Sequence, residues 1–154
     1  MEQNKFNKYF LILISFFVIY SCQFDWVEER HISLNKIEFG SGVRDSFKQK
    51  SLKYFSQNPS NNHHSLNISN LQFKKKNFYS GSAARAKQIE IVGQLEFSFT
   101  NITSTKSGKL DISGWIPVNE NNPQAEMMAQ RKMIEELELL LLEDILKEYW
   151  LIES

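Results

Sequence analysis

The chain has 154 residues, with 18 Lys and Arg balanced by 18 Asp and Glu. That balance excludes a nucleic-acid binder working by bulk electrostatics. An apolar share of 42%, with 13% aromatic residues, is enough for a packed core. Cys22 is the single cysteine, so no internal disulfide can form and stability must come from packing.

The chain begins with a basic stretch, Lys5 and Lys8, and then Phe10 to Ile19 is apolar apart from Ser15. This run is well short of the ~20 residues a membrane-spanning helix needs. It ends in Ile19-Tyr20-Ser21-Cys22, which is the pattern of a secretory signal peptide with a small residue at the cut. A lone cysteine at that point resembles a bacterial lipobox, although Tyr20 is bulkier than the usual residue there. The resemblance implies a diacylglyceryl group on the Cys22 thiol, cleavage before it, and a fatty acyl chain such as palmitate on the new amino terminus. The other reading is an ordinary signal peptide followed by a free cysteine. Two or more acyl chains make release from a membrane slow. Gln23 stands where an aspartate would signal inner-membrane retention in enteric bacteria, which by analogy favours the outer membrane. The expected division is a signal peptide over 1–21, a lipidated tether over 22–30 and a single domain over 31–154.

Trp26 in the tether either sits at a lipid headgroup or packs on the domain. His31 to Phe39 alternates as a strand with an irregularity near Asn35, and Gly40-Ser41-Gly42 ends it. Val43 to Gln57 reads as a helix: Val43, Phe47, Tyr54 and Phe55 form its apolar stripe, and Ser41 is placed to cap it. Asn58-Pro59 breaks it, and Ser60 to Ser65 is a polar loop. Leu66, Ile68, Leu71 and Phe73 make a second strand with a bulge between the two pairs. Residues 77–84 read as a hairpin connection.

Ala86 to Thr100 is the clearest strand, with Ile89, Ile91, Leu95, Phe97 and Phe99 on one face and mostly polar residues on the other. Such alternation fits an antiparallel sheet covered on one side. Leu110, Ile112, Gly114 and Ile116 share one parity in a fourth strand that Pro117 closes. Asn122-Pro123 then opens a long helix, with asparagine as N-cap and proline in the first turn. At ~1.5 Å per residue the helix matches the third strand in length, so it can cover the sheet from end to end. The expected architecture is α+β: two helices on one face of a four-stranded, mostly antiparallel sheet, in the order β-α-β-β-β-α. The leucines at 139–142 cannot all face that sheet, which hints at a second packing partner.

Cys22 with the nearby aromatics Phe24 and Trp26, the order of elements, Leu71-x-Phe73 before a hairpin, and Asn121-Asn122-Pro123-Gln124-Ala125 at the start of the last helix together carry a family resemblance. The chain is similar to the LPS-assembly lipoprotein LptE family over nearly all of 22–154. It departs from it in having Gln23 after the cysteine and in stopping almost at the end of the last helix. The resemblance implies an outer-membrane lipoprotein on the periplasmic side, anchored through its N-terminal lipid. It would plug an LptD-like β-barrel and help deliver lipopolysaccharide to the surface. A polar sheet face would suit a water-filled barrel interior.

Lys74, Lys75, Lys76, Arg85 and Lys87 fall in one stretch without an acidic residue. A hairpin would bring them to one end of the sheet, where lipid A phosphates are suitable targets: arginine can clasp a phosphate with two hydrogen bonds, and lysine acts as a point charge. The resemblance puts lipopolysaccharide contacts near this end, Arg85 first, with Lys109 or Lys106 for a second basic position on the fourth strand. The competing reading is a solvated basic edge that discourages sheet-to-sheet aggregation. No nucleophile or paired-carboxylate constellation surrounds His31, His63 or His64, so neither an enzyme nor a cofactor is expected. The adjacent His63 and His64 lack metal-ligand spacing and read as a surface loop. The alternative function is a scaffold lipoprotein of another outer-membrane assembly, without glycolipid binding.

Overall fold

A computed structural model describes residues 31–59, 64–79, 86–119 and 121–153. The expected leader and tether, with Cys22, lie outside these residues, as do His63 and the hairpin tip with Arg85. The elements are β1 (Ile32–Leu34), β2 (Ile37–Phe39), α1 (Asp45–Tyr54), β3 (Phe55–Gln57), β4 (Ser65–Tyr79), β5 (Ala86–Thr100), β6 (Thr105–Pro117) and α2 (Pro123–Glu153).

The main sheet has the order β2-β4-β5-β6; β4, β5 and β6 are antiparallel and β2 pairs parallel to β4. The α+β class, two helices packed with a mostly antiparallel four-stranded sheet, is therefore as expected. The first strand is corrected. The irregularity at Asn35 is a change of sheet: β1 leaves the main sheet and pairs parallel with β3, a strand where the helix was expected to continue. Two backbone bonds tie the crossing to the start of β4. The Asn35 N–H donates to the His64 carbonyl (3.1 Å), and the Leu66 N–H donates to the Lys36 carbonyl (2.9 Å).

Helix α1 begins at Asp45, and Ser41 does not cap it; Arg44 occupies the N-cap with no side-chain bond. Phe55 fits the helical stripe by spacing, yet it is fully buried from an extended backbone. The expected bulge in β4 falls between Ile68 and Asn70. Gly40 lies against it: its N–H donates to the Ile68 carbonyl (2.8 Å), and an added Cβ would meet the Ser69 carbonyl. Only glycine admits so close a backbone approach. Asn122 does cap α2, its Oδ1 accepting from the Ala125 N–H at 3.0 Å.

The core lies between the helices and one sheet face. Phe47 of α1, Phe55, Leu66, Ile68, Leu95, Phe99, Leu141 and Ile145 are all but inaccessible to solvent. Each such side chain contributes ~1.5–3 kcal/mol through burial. Helix α2 lies over β5 and β6, and Lys50 of α1 reaches Glu138 of α2 at 2.8 Å. His64 is buried rather than in a surface loop, edge-on to Tyr149 with ring centroids 6.0 Å apart. Its Nδ1 is 3.0 Å from Glu153 Oε1 without the geometry of a hydrogen bond.

Candidate functional site: the open face of the sheet

Side chains along a strand alternate between faces, so register decides which basic residues can act together. The helix-covered face of the sheet carries Leu71, Phe73, Ile89, Ile91, Leu95, Phe97, Ile112 and Ile116. Lys75 is paired with Ile91 and shares that side; its Nζ is 3.9 Å from Glu126 of α2. Lys87 has the same parity as Ile89 and is exposed at the β5 margin, where its carbonyl accepts from the Val118 N–H. Lys106 also lies on the helix side, 3.2 Å from Glu148.

Lys74 and Lys76 point to the other, open face. They sit opposite Val92 and Glu90 of β5, and the Lys76 ammonium is 3.9 Å from Glu90. The consecutive lysines are thus divided between two faces by the pleat. Lys109 is on the open face too, but it stands opposite Glu96, four residues along β5 from the Val92 row. There it borders a shallow depression with Ser69, Ser98 and Ser107. Lys109 and the pair Lys74 and Lys76 therefore do not form one cluster.

Two aromatic residues beside Lys76 were not among the expected site residues. Phe78 of β4 and Trp115 of β6 meet across β5 with ring centroids 4.6 Å apart, each a little under half exposed. The signal was present in the sequence. Trp115 breaks the parity of Ile112 and Ile116, and Phe78 continues the parity of Lys74 and Lys76, so both were readable as open-face residues. The hairpin end of this face is thus an aromatic pair beside the Lys76 ammonium and the Glu90 carboxylate, with Lys74 and Val92 one row further along, on a surface otherwise mostly polar. It can present charge to an anion while offering apolar area to a neighbouring chain.

Among the described residues no group of three His, Cys, Asp or Glu is arranged to hold a metal, and no helix is long and apolar enough to cross a membrane. No protein-family model and no curated protein sequence matches the chain significantly. Solved structures do. The rare lipoprotein B of Shewanella oneidensis superposes with a TM-score of 0.63 at 10% identity, covering 77% of this chain and 96% of its own. This chain shares its fold. A minor lipoprotein of Acinetobacter baumannii gives 0.55 at 10% identity, covering 76% of this chain and 89% of its own. An uncharacterized lipoprotein B of Nitrosomonas europaea gives 0.59 at 7% identity, covering 76% and 83%. At such identities the likeness establishes architecture, and all three neighbours are lipoproteins by name. The expected resemblance to the LptE-type lipoproteins is consistent with them at the level of the fold.

Proposed function

We propose that the chain is an outer-membrane lipoprotein of the LptE type. In this reading the leader over 1–21 is removed, Cys22 carries the lipid, 22–30 is the tether, and the domain over 31–154 seats in an LptD-like β-barrel from the periplasmic side. Its task is to handle lipopolysaccharide without chemistry of its own. The observation that carries the reading is the Phe78–Trp115 pair beside Lys76, with Lys74 one row further along, on a face that is otherwise mostly polar. Lipid A joins phosphates to acyl chains, and this end of the sheet offers a partner to each. The rest of the open face suits a hydrated lumen. The shared fold of three lipoproteins supports the anchor.

The reading separates the basic residues. Neutralising Lys74, Lys76 and Arg85 together lowers lipopolysaccharide binding severalfold and flattens its salt dependence, while neutralising Lys75 and Lys87 leaves it near the parent value. Binding of labelled lipopolysaccharide to the full chain in mild detergent measures this, with circular dichroism to confirm folding. Equal binding by both variants and the parent would remove the assignment.

A further inference from the structure

The first strand and the last turn of α2 meet at one end of the domain. β1 starts at Ile32, and Asn35 and Lys36 just beyond it are bonded to His64 and Leu66 at the start of β4. The end of α2 comes to the same place. Tyr149 is edge-on to His64, Glu153 lies 3.0 Å from it, and Ile32, Tyr149 and Ile152 share one apolar cluster. From here the fifteen residues of β4 run about 50 Å to the hairpin, at ~3.3 Å each.

That last turn keeps apolar surface in the open. Tyr149 is buried, but Trp150 is 46% and Leu151 65% exposed, and Tyr149 holds the Trp150 ring edge-on at 5.8 Å. The carboxylates nearby are engaged within the fold: Asp144 is 2.7 Å from Lys147, Glu148 is 3.2 Å from Lys106, and Glu153 faces His64. Repulsion from a phosphate-bearing surface is thereby reduced. An indole has an apolar body and a polar N–H, and it settles where lipid headgroups meet acyl chains.

We propose that Trp150 and Leu151 rest in the headgroup layer of the leaflet that holds the lipid on Cys22. The inference rests on the lipid-anchor part of the proposed function and needs neither the barrel nor the glycolipid. The tether selects this end. Residues 22–30, fully extended at ~3.3–3.6 Å each, span about 30 Å, so His31 and the turn beside it stay within that reach of the leaflet. The Phe78–Trp115 pair, about 40 Å along β4, has no such restraint. A short tether raises the effective concentration of the apolar turn at the surface, so two side chains suffice where they would not hold a free protein. With contact confined to this end, the hairpin points away from the leaflet, the orientation for entering a barrel from the periplasmic side.

Tryptophan quenching tests the contact. The full lipidated chain is reconstituted in vesicles of phosphatidylethanolamine and phosphatidylglycerol, with or without bromine on the acyl chains near the headgroups. Trp26→Phe/Trp115→Phe leaves Trp150 as the single reporter, and Trp26→Phe/Trp150→Phe leaves Trp115. Brominated lipid quenches Trp150 severalfold more than Trp115. Leu151→Glu brings Trp150 down to the Trp115 level while the chain still floats with the vesicles and keeps its circular dichroism. Flotation with Trp150 unquenched would overturn this inference alone, whether the ring stays in water or is covered by another protein molecule. Equal quenching of the two reporters, or no effect of Leu151→Glu, would do the same. A chain that does not float would overturn the lipid anchor and this contact together.

Discussion

Tyr149 shows how one side chain ties the end of α2 to the sheet. Its ring lies edge-on to Phe99 at 5.6 Å and to His64 at 6.0 Å, with 5% of its surface left exposed. Burial pushes its phenol above the ordinary value of 10.0, and the nearby Glu153 carboxylate adds to the effect. The fold therefore favours the neutral ring. The stabilisation this provides is complete below the unfolded value and is lost as pH rises through the folded one. Tyr149→Phe removes that dependence. Urea unfolding between about pH 9 and about pH 11 should show the advantage of the parent over the variant shrinking as pH rises. A constant difference across that range would separate Tyr149 from the alkaline loss of stability.

Among the elements, the junction of the two helices rests on a charged pair. The Glu138 side chain is 2% exposed and Lys50 24%, with 2.8 Å between nitrogen and oxygen. Lys50→Ala leaves a buried carboxylate without its counter-ion and should cost about 3 kcal/mol. Replacing both partners, Lys50→Met with Glu138→Leu, should recover most of the loss, since an apolar pair of similar volume avoids the desolvation. Chemical denaturation of the parent and the two variants decides it. A double variant as weak as Lys50→Ala would mean that the pair contributes more than neutralisation.

Elements whose pattern repeats over many residues were legible in the sequence. The alternation from Ile89 to Phe99 and the Asn122-Pro123 start of α2 gave β5 and the helix to within a few residues, because burying one face imposes a period. Three-residue strands impose none. β1, β2 and β3 are each too short to show a period, and Phe55 satisfies both a helical stripe and a buried strand. The site was half legible for the same reason. Lys74 to Lys76 were visible as a run, but which of them face the open side follows from the Ser69 bulge and from the pairing of Lys74 with Val92. Partner strands set that, and the run alone does not.

Taken whole, the molecule has two unlike sheet faces. One is closed by both helices around an apolar core; the other is mostly polar, and at its hairpin end Phe78 and Trp115 meet beside Lys76. A free-standing protein has little use for an exposed aromatic pair on a hydrated sheet face. A protein enclosed by a larger, water-lined partner and handling an amphiphile has a use for both features. On the proposed reading the domain would be a plug carried on a lipid anchor, with the barrel as its companion. The decisive measurement is affinity purification of the full-length chain from gently solubilised outer membranes, with mass spectrometry of whatever stays bound. The account predicts one large outer-membrane β-barrel in near-equal amount, held through detergent washing. Recovery of the chain without any barrel, or with the subunits of a different envelope assembly, would contradict it.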